Sequence, residues 1–333
     1  MNIFEGNYRA YLIVPIVLFV IFLILIFLIP GIKFGIDLRG GTSIIVRAEA
    51  QIDAAKLTEA LKQNFQLEDL HVTAIGNGAI IEFAYEKNLF EAEKMLKTGK
   101  VDEKKMVEYL KNYLNIENIP ENADLNFWED SLVKAKENFN LKLQDVITAA
   151  LNVKEPKIQK KEIGPALGNL FWDSAWKVAL IAVILIIIVI FIFFREIVPS
   201  LAIIAAAIFD VSAALAGMSL FGIGLSLASI PALLMLVGYS VDTDILLTTR
   251  ILKRSEATPA KRAHDAMKTG LTMTFTTLAA ATVMLILSYL TQMEVVFNIA
   301  TIIVCGLIGD LISTWLMNAP VLLMYAEKKR AVL

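Results

Sequence analysis

Residues 234–250 read LMLVGYSVDTDILLTTR, an apolar stretch that contains two acids. It continues an apolar run that begins at Leu225, and the whole run is long enough to cross a hydrocarbon core about 30 Å thick. Two aspartates, Asp242 and Asp244, interrupt it. An Asp at the centre of a membrane helix costs roughly 2.5 to 3.5 kcal/mol on insertion scales. The stretch therefore predicts a membrane helix in which the acids serve a function.

The composition points to a protein with several membrane helices. Of the 333 residues, 57% are hydrophobic and 19% are charged, and the mean hydropathy is +0.64, which is too apolar for a soluble domain. We predict a polytopic α-helical membrane protein. Its six transmembrane helices lie at residues 11–30, 178–194, 197–218, 225–249, 270–290 and 295–325.

The distribution of Lys and Arg predicts the orientation of the chain. Short cationic segments occur at Arg195, at residues 250–268 and at residues 328–330, all on one face of the membrane. By the positive-inside rule this face is the cytosol, so both termini are cytosolic and the protein is a multi-pass protein of the cell membrane. The predicted domains are a cytosolic N-terminus with helix 1 (1–30), an extracytoplasmic domain (31–176), helices 2 to 6 (177–325) and a cytosolic tail (326–333).

The large polar segment between helices 1 and 2 shows alternating strand and helix patterns. An Asn-Gly pair at Asn77 is typical of a tight β-hairpin. The order β-α-β-β-α-β, with an inserted helical excursion, predicts an α+β ferredoxin-like domain with an antiparallel sheet. Its predicted elements are a strand at 43–48, a helix at 52–65, two strands around residues 76–78, helices at 90–114 and 130–151, and a strand at 157–164.

Four acids fall inside the predicted spans, and no Lys or Arg lies deep in these spans to neutralise them. They are Asp210, Asp242, Asp244 and Asp310. Since an unpaired carboxylate in hydrocarbon is costly, each acid must either hold its proton or face water inside the bundle. Protonation would then bias the conformation of the bundle, which is how proton flow can drive motion.

The spacing of Asp242 and Asp244 predicts that they face different surroundings. Two residues along an α-helix lie about 200° apart, so both cannot face one cavity unless the helix unwinds near Gly238. Asp242 lies about 12 Å from the cationic end at Arg250, well inside the bilayer, and is the first candidate for the proton carrier. Asp244 is expected to face a neighbouring helix and to share a hydrogen bond with Thr248, one turn further on.

The fifth span offers hydroxyl groups as companions of these acids. Thr269, Thr272 and Thr276 follow Lys268 at helical spacing in KTGLTMTFTTLAAAT. Such hydroxyls can line a water chain, but they also commonly bond to their own helix or join two helices. Both interpretations remain open for each threonine.

Three motifs in this order resemble one family. The stretch GYSVDTDILLTTR (238–250), the segment GIDLRGGT (35–42) and the segment EIGPALG (162–168) are similar to those of SecF-type subunits of the protein-export machinery, most closely the archaeal members. The resemblance implies a half of an RND-superfamily bundle that uses the proton gradient to promote preprotein translocation. It also implies a SecD-like partner, the Sec translocon channel, unfolded preproteins and membrane lipid as partners, and neither a cofactor, a metal nor nucleic acid.

The resemblance also implies roles for particular residues. Asp242 falls where SecD-type halves carry their Asp, whereas Thr243 occupies the position of the Asp in bacterial SecF-type halves. The implied proton pathway comprises Asp242, Asp244, Asp210, Asp310, Thr243, Thr276, Thr277 and Lys268. The implied structural motif residues are Gly35, Asp37, Arg39, Gly40, Gly41, Gly164, Pro165, Gly238 and Arg250, with Asp37 and Arg39 expected to pair on an extended segment.

Two alternative functions remain open at this point. The chain could be one half of an RND-type proton-coupled exporter. It could also be an intramembrane aspartyl protease, although the IGD at 308–310 lacks the first glycine of a G-x-G-D element, because position 307 is Leu. An ATPase is excluded, since no Walker pattern occurs. The sequence leaves open which aspartate carries the ion and whether that ion is a proton or sodium.

Overall fold

The computed structural model describes residues 3–6, 8–47, 52–99, 101–114, 123–151, 157–254 and 257–332. The chain divides into two compact units. The helical unit comprises Met1–Leu38 and Leu170–Leu333, and the sheet unit comprises Arg39–Asn169. Two short 3₁₀ helices, Ile3–Glu5 and Tyr8–Leu12, come first. They are followed by α1 (Ile13–Phe27) and α2 (Ile36–Arg39).

The sheet unit alternates strands and helices in the predicted order. Its elements are β1 (Gly41–Arg47), α3 (Ala54–Asn64), β2 (His71–Ile75), β3 (Gly78–Phe83), α4 (Lys87–Lys97), α5 (Glu103–Leu110), α6 (Leu125–Leu151) and β4 (Lys157–Ile163). The four strands form an antiparallel sheet in the order β2-β3-β1-β4. The predicted hairpin is present, and Gly76 supplies the positive φ of its two-residue turn. The end of the predicted first strand, Ala48, lies outside the described residues.

One core holds the sheet unit together. Apolar side chains of β1 and β3, such as Val46 and Ile81, are fully buried against the helices. Phe139 of α6 contributes a ring that makes edge contacts with Phe65 and Tyr113. Such aromatic contacts stabilise a core beyond the burial of area alone. The inserted α4 and α5 join this core through buried residues such as Leu89 and Met106, so the excursion is an integral part of the unit.

The two glycine-containing motifs meet inside the sheet unit. β1 pairs with β4 in a register that places Gly41 opposite Ile163. Gly40 adopts a φ of +81°, and a Cβ on it would lie 2.8 Å from the Cα of Pro165. A Cβ on Gly168 would in turn lie 2.5 Å from the backbone nitrogen of Gly40. Any side chain at these positions would separate the two backbones, so the motif glycines have a packing role.

The expected pairing of Asp37 with Arg39 is wrong. Residues Ile36–Arg39 form one short helical turn rather than an extended segment, so side chains two residues apart do not share a face. The guanidinium of Arg39 instead forms an ion pair of 2.9 Å with Asp69. Arg39 therefore links the start of the sheet unit to the segment that precedes β2.

The helical unit continues after β4 with long helices. These are α7 (Pro165–Phe194), α8 (Ile197–Leu220), α9 (Ser229–Leu252), α10 (Pro259–Thr291), α11 (Glu294–Ile312), a π-helical segment (Ser313–Asn318) and α12 (Ala319–Val332). Local sequence signals explain the ends of α10. Its N-cap Thr258 accepts a hydrogen bond from the backbone of Lys261 and precedes Pro259, and the helix ends at Gln292 in a left-handed conformation.

Within the described residues, six helical stretches are long and apolar enough to cross a membrane, as predicted. They are Tyr8–Phe27, Pro165–Phe194, Ile197–Leu220, Ser229–Leu252, Pro259–Thr291 and Glu294–Lys329. In α8, 61% of the most apolar window is buried, compared with 11% in each of the first two spans. The third span is therefore the centre of the helical unit. Phe209 of α8 packs against Phe19 and Phe22 of α1.

Candidate functional site

Asp242 and Asp244 lie on opposite sides of α9. The side chain of Asp242 is exposed on the outer surface of the helical unit, whereas Asp244 is 0% exposed. Helix α9 continues without a break through Gly238. The prediction from the 200° spacing is therefore confirmed, and the two acids serve different surroundings.

Asp244 is held by the last span. Its Oδ1 accepts hydrogen bonds from the hydroxyl of Thr314, at 3.0 Å, and from Nδ2 of Asn318, at 2.7 Å. Its other oxygen, Oδ2, is buried and has no hydrogen-bond partner among the described residues. The expected bond to Thr248 is wrong, because the Thr248 hydroxyl is also buried without a partner in the described part of the chain.

Asp210 lies at the centre of the bundle and joins three elements. Its Oδ2 accepts a short hydrogen bond from Ser240 of α9. Its Oδ1 accepts from Ser313, in the π-helical segment, at 2.7 Å. Both carboxyl oxygens therefore have donors, although the residue is fully buried. This satisfies the requirement that a buried polar group be hydrogen-bonded.

Asp310 of α11 completes a cluster of three buried acids. Its Oδ1 lies 3.2 Å from the hydroxyl oxygen of Thr314, and its Oδ2 is 3.5 Å from the hydroxyl of Thr274, at the outer limit of a hydrogen bond. Thr314 thus lies between Asp310 and Asp244. We call Asp210, Asp244 and Asp310 the aspartate cluster. Its hydrogen-bond partners on the described residues are hydroxyl groups and one carboxamide.

Close packing of α8 against α11 brings the cluster together. A Cβ on Gly309 would lie 2.5 Å from the Cβ of Ala213, and Gly309 directly precedes Asp310. Small residues at such crossings let helix backbones approach closely in a membrane bundle. The glycine therefore sets the short distance between the helix that carries Asp210 and the helix that carries Asp310.

The π-helical segment supplies most of the donors. Ser313, Thr314 and Asn318 all belong to it, and all three are 0% exposed. π-helical turns are rare and occur frequently at functional sites, because the widened turn re-aims the side chains that follow it. In the last span, this turn directs three polar groups towards α8 and α9.

Other predicted pathway residues do not reach the cluster. Thr276 and Thr277 donate to the carbonyl of Met273 in their own helix. Thr243 is buried, and its hydroxyl donates to the carbonyl of Tyr239. Lys268 is exposed and lies 3.9 Å from Asp265. The structure therefore favours the local, helix-bonding interpretation of these hydroxyls.

The remaining threonines behave in the same local way, whereas Arg250 bonds to the neighbouring helix α10. Thr269 and Thr272 bond to carbonyls of their own helix, while the guanidinium of Arg250 donates to the carbonyl of Asp265 at 3.0 Å. Gly35 uses its backbone, donating to the carbonyl of Leu225 at 2.8 Å. Nothing lies within 4 Å of a Cβ built on Gly164.

The sequence analysis missed several residues of the site. Ser240, Thr274, Ser313, Thr314 and Asn318 all bond to the aspartate cluster. A signal for two of them was present, because Thr314 and Asn318 follow Asp310 at intervals of four residues in an otherwise apolar span. Among the described residues, no group of three His, Cys, Asp or Glu side chains is arranged to hold a metal ion.

A comparison with protein-family models gives two matches. The model described as "Protein export membrane protein SecD/SecF, C-terminal" matches residues 143–328, and the model "SecD/SecF GG Motif" matches residues 25–52. The second match contains the segment GIDLRGGT. Together the two models cover the last residues of the first span, all of β1, and the five later spans up to residue 328.

Full-length relatives agree with these models. The protein-export membrane protein SecF of Methanocaldococcus jannaschii is 35% identical over 327 residues, which are 98% of both chains. The protein-export membrane protein SecF of Methanothermobacter thermautotrophicus is 33% identical over 324 residues, or 96% of this chain and 93% of that protein.

Solved structures show the same fold. The crystal structure of SecDF from Thermus thermophilus, described as a translocon-associated membrane protein, aligns with a TM-score of 0.67 at 19% identity. The alignment covers 98% of this chain but only 38% of the SecDF chain. A second structure of SecDF, in a super-membrane-facing form, aligns with a TM-score of 0.52 at 14% identity. The chain thus spans well under half the length of the first SecDF protein.

Proposed function

This chain belongs to the SecD/SecF family of protein-export membrane proteins, and we propose that it is an accessory subunit of the Sec machinery that works with a SecD-like partner. In this role it uses the proton gradient to promote preprotein translocation across the cell membrane. Family membership favours this function over the two alternatives, a half of a substrate-expelling pump and an intramembrane protease.

The observation that carries the proposal is the exposure of Asp242. The residue lies within the fourth span, yet its side chain faces outward from the helical unit. A carboxylate facing lipid at this depth is costly, so the outer side of α9 needs a polar or protein covering. A second bundle that packs on α9 would provide this covering and would enclose Asp242 at the joint surface.

The rest of the outer face of α9 suits a helix partner. Pro231, Met235, Gly238 and Asp242 are all exposed and recur at intervals of three and four residues, which places them in one stripe. We call this the α9 stripe. Nothing lies within 4 Å of a Cβ built on Gly238. A glycine facing outward lets a partner helix approach closely.

The coverage of the solved SecDF chain fits this arrangement. The alignment with this chain covers 38% of that longer chain, and the proposal assigns the second bundle to the SecD-like partner. Asp242 then faces the partner's bundle, where it gains and loses its proton while the aspartate cluster stays inside this half. The anion needs a wet surface and the neutral acid tolerates a dry one, so the proton state biases how the two halves pack.

The orientation and the wider partners follow from the same proposal. Cationic residues occur just after α9, at Lys253 and Arg254, and in the first turn of α10, at Lys261. By the positive-inside rule, we infer that they lie in the cytosol. The sheet unit then lies outside the cell, together with residues up to about Trp176, where emerging unfolded preprotein and the mouth of the translocon are accessible. Both termini lie in the cytosol.

The test is a translocation assay in inverted membrane vesicles that contain the SecD-like partner. Asp242→Asn keeps the size of the side chain but cannot cycle between neutral and anionic forms. Stimulation of export by the gradient should be lost, so that a protonophore no longer slows the variant. The exposed Asp173 provides the matched control, because Asp173→Asn should retain full stimulation. Equal protonophore sensitivity in Asp242→Asn and the parent would contradict the proposal.

A further inference from the structure

The pairing of Asp244 with Asn318 leaves two oxygens without donors. Nδ2 of Asn318 donates to Oδ1 of Asp244 at 2.7 Å, so the amide and the carboxyl group are in direct contact. The second oxygen of each group, Oδ2 of Asp244 and Oδ1 of Asn318, is buried without a partner among the described residues. Both residues are 0% exposed. Water at the surface of the unit therefore does not solvate either oxygen.

The numbers of donors and acceptors on the two groups show that one hydrogen atom is missing between them. A carboxylate is only an acceptor, so it can take one hydrogen bond from the amide and give none back. A neutral carboxylic acid has an O–H donor, and the carbonyl oxygen of an amide is an acceptor. A single proton between the two groups would give partners to both buried oxygens, whereas a buried polar group left without a hydrogen bond is destabilising.

We propose that Asp244 and Asn318 form a proton-holding carboxyl–carboxamide pair, which is a protonation site inside this half of the bundle and distinct from Asp242. The proton resides on Oδ2 of Asp244 and is donated to Oδ1 of Asn318. The reciprocal bond from Nδ2 of Asn318 to Oδ1 of Asp244 is already present. The chemical class of the ligand is a monovalent cation, and the geometry of two flat groups favours the proton.

Thr314 supplies an independent argument that one of two neighbouring acids, Asp244 or Asp310, holds a proton. Its hydroxyl lies 3.0 Å from Oδ1 of Asp244 and 3.2 Å from Oδ1 of Asp310. A hydroxyl group has one hydrogen, so it cannot donate to two carboxylates at once. If both acids were ionised, one of them would face the oxygen of Thr314 without a bond.

The charged groups around the pair strengthen this requirement. The titratable groups that face Asp244 from the packed helices are Asp310 of α11 and, beyond it, Asp210 of α8. The other elements contribute Thr274 of α10 and the hydroxyl and amide groups of the last span. Like charges held close together in a dry bundle repel strongly, and a proton on Asp244 removes one of them.

The π-helical segment links this proton to the shape of the last span. Asn318 is the final residue of the segment, and its position against α9 depends on the widened turn. Adding or removing one residue of the turn rotates a side chain by about 100° around the helix axis. Loss of the proton therefore removes a bond that holds the segment in its observed form. This coupling step rests on the proposed function, whereas the protonation site itself does not.

The test uses the purified full chain in lipid nanodiscs and needs no export reaction. Infrared difference spectra recorded in H₂O and D₂O across a pH series report the C=O stretch of protonated carboxyl groups. The parent should show such a band at neutral pH with a deuterium shift, and Asp244→Asn should lose it. Asp173→Asn, an exposed acid on α7, should keep the band unchanged. A parent without a protonated-carboxyl band at neutral pH overturns the proposal without any variant.

Further measurements identify the residue that carries the proton and distinguish a bound proton from a bound sodium ion. Asn318→Leu should keep the band but move it to higher frequency, because the acid loses its amide partner. A band of undiminished size in folded Asp244→Asn would place the proton on Asp210 or Asp310 and overturn the assignment. Replacing choline chloride by sodium chloride at fixed pH should leave the band unchanged. Loss of the band in sodium chloride would show that the site binds sodium rather than a proton. These readouts differ from protonophore sensitivity of export, so each proposal can fail alone.

Discussion

Asp242 and Asp244 are two residues apart on one continuous helix, yet one is exposed and the other is fully buried among donors from the last span. Their different surroundings divide the two acids into a surface group and an interior group. The surface group is free to meet a partner. The interior group belongs to the architecture of this half, because Asn318 donates to it and the hydroxyl of Thr314 lies 3.0 Å from it.

The first prediction compares leucine at these two positions in the isolated chain. Asp244→Leu leaves the amide nitrogen of Asn318 buried without this acceptor, and should lower the free energy of unfolding by roughly 1 to 3 kcal/mol. Asp242→Leu leaves no buried donor without a partner, so the free energy of unfolding should be unchanged or slightly higher. Denaturation in mixed micelles measures both. Equal losses for the two variants would show that burial of Asp244 does not stabilise the bundle.

The second prediction concerns the crossing of α8 and α11. Gly309→Ala puts a methyl group 2.5 Å from the Cβ of Ala213 and should destabilise the chain by about 1 to 3 kcal/mol through overpacking. The double variant with Ala213→Gly should recover most of this loss, because the clashing atom is removed. Thermal unfolding in detergent provides the measurement. Without such recovery, the close approach at Gly309 would not be the cause.

The third prediction uses the open space beside Gly238. In the isolated chain, Gly238→Ala should be neutral or stabilising by up to about 1 kcal/mol, since alanine favours a helix and meets no neighbour. Gly238→Leu should also fold, but it should weaken co-purification with the SecD-like subunit at least several-fold because it fills the α9 stripe. A matched leucine at the exposed Ala279, on α10, should not affect co-purification. Normal assembly of Gly238→Leu would exclude the stripe as the contact surface.

The fourth prediction is a pH dependence within the sheet unit. The side-chain hydrogen bond from Lys136, at 2.6 Å, and a second one from Lys97 hold the pKa of Glu93 below its usual range. A lowered folded-state pKa stabilises the fold above the pKa of the unfolded chain, and this stability is lost as the pH falls through the folded value. Glu93→Gln should therefore cost less than about 1 kcal/mol at neutral pH, because the site is partly exposed.

The measurement for Glu93 is urea unfolding of the full chain, followed by the fluorescence of its tryptophans, at neutral pH and at an acidic pH below the folded-state pKa. The difference between the parent and Glu93→Gln should vanish at the acidic pH. Glu91→Gln serves as the control, because its contact with Lys94 is 4.0 Å long and exposed. A difference that is the same at both pH values would exclude ionisation of Glu93 as its source.

The fifth prediction tests the orientation. With Cys305 replaced by Ala, a single cysteine introduced at Asn77 should react with an impermeant maleimide added outside intact cells. A single cysteine at Ala257, between α9 and α10, should react only after the membrane is opened. The opposite pattern would place the sheet unit in the cytosol and reverse the positive-inside argument.

Local patterns in the sequence were sufficient for the elements of the fold. Apolar length predicted six spans, and strand and helix signals predicted the order of the sheet unit, because both depend on residues close together in the chain. Bounds were less accurate: α7 begins at Pro165 and α6 at Leu125, both earlier than predicted. In α7, polar residues such as Asn169 and Asp173 interrupt the apolar pattern from which the span was predicted.

The sequence by itself determined that Asp242 and Asp244 face opposite sides, because the angle between them follows from the helix repeat alone. It could not determine which of the two sides is the interior, since that depends on which helices pack on α9. Only the tertiary structure brought Asp210, Asp244 and Asp310 into one cluster and paired Asn318 with Asp244. The bonds from Ser313 to Asp210 and from Thr314 and Asn318 to Asp244 join residues 70 to 103 positions apart. The close crossing at Gly309 and the π-helical turn that create them are properties of packing.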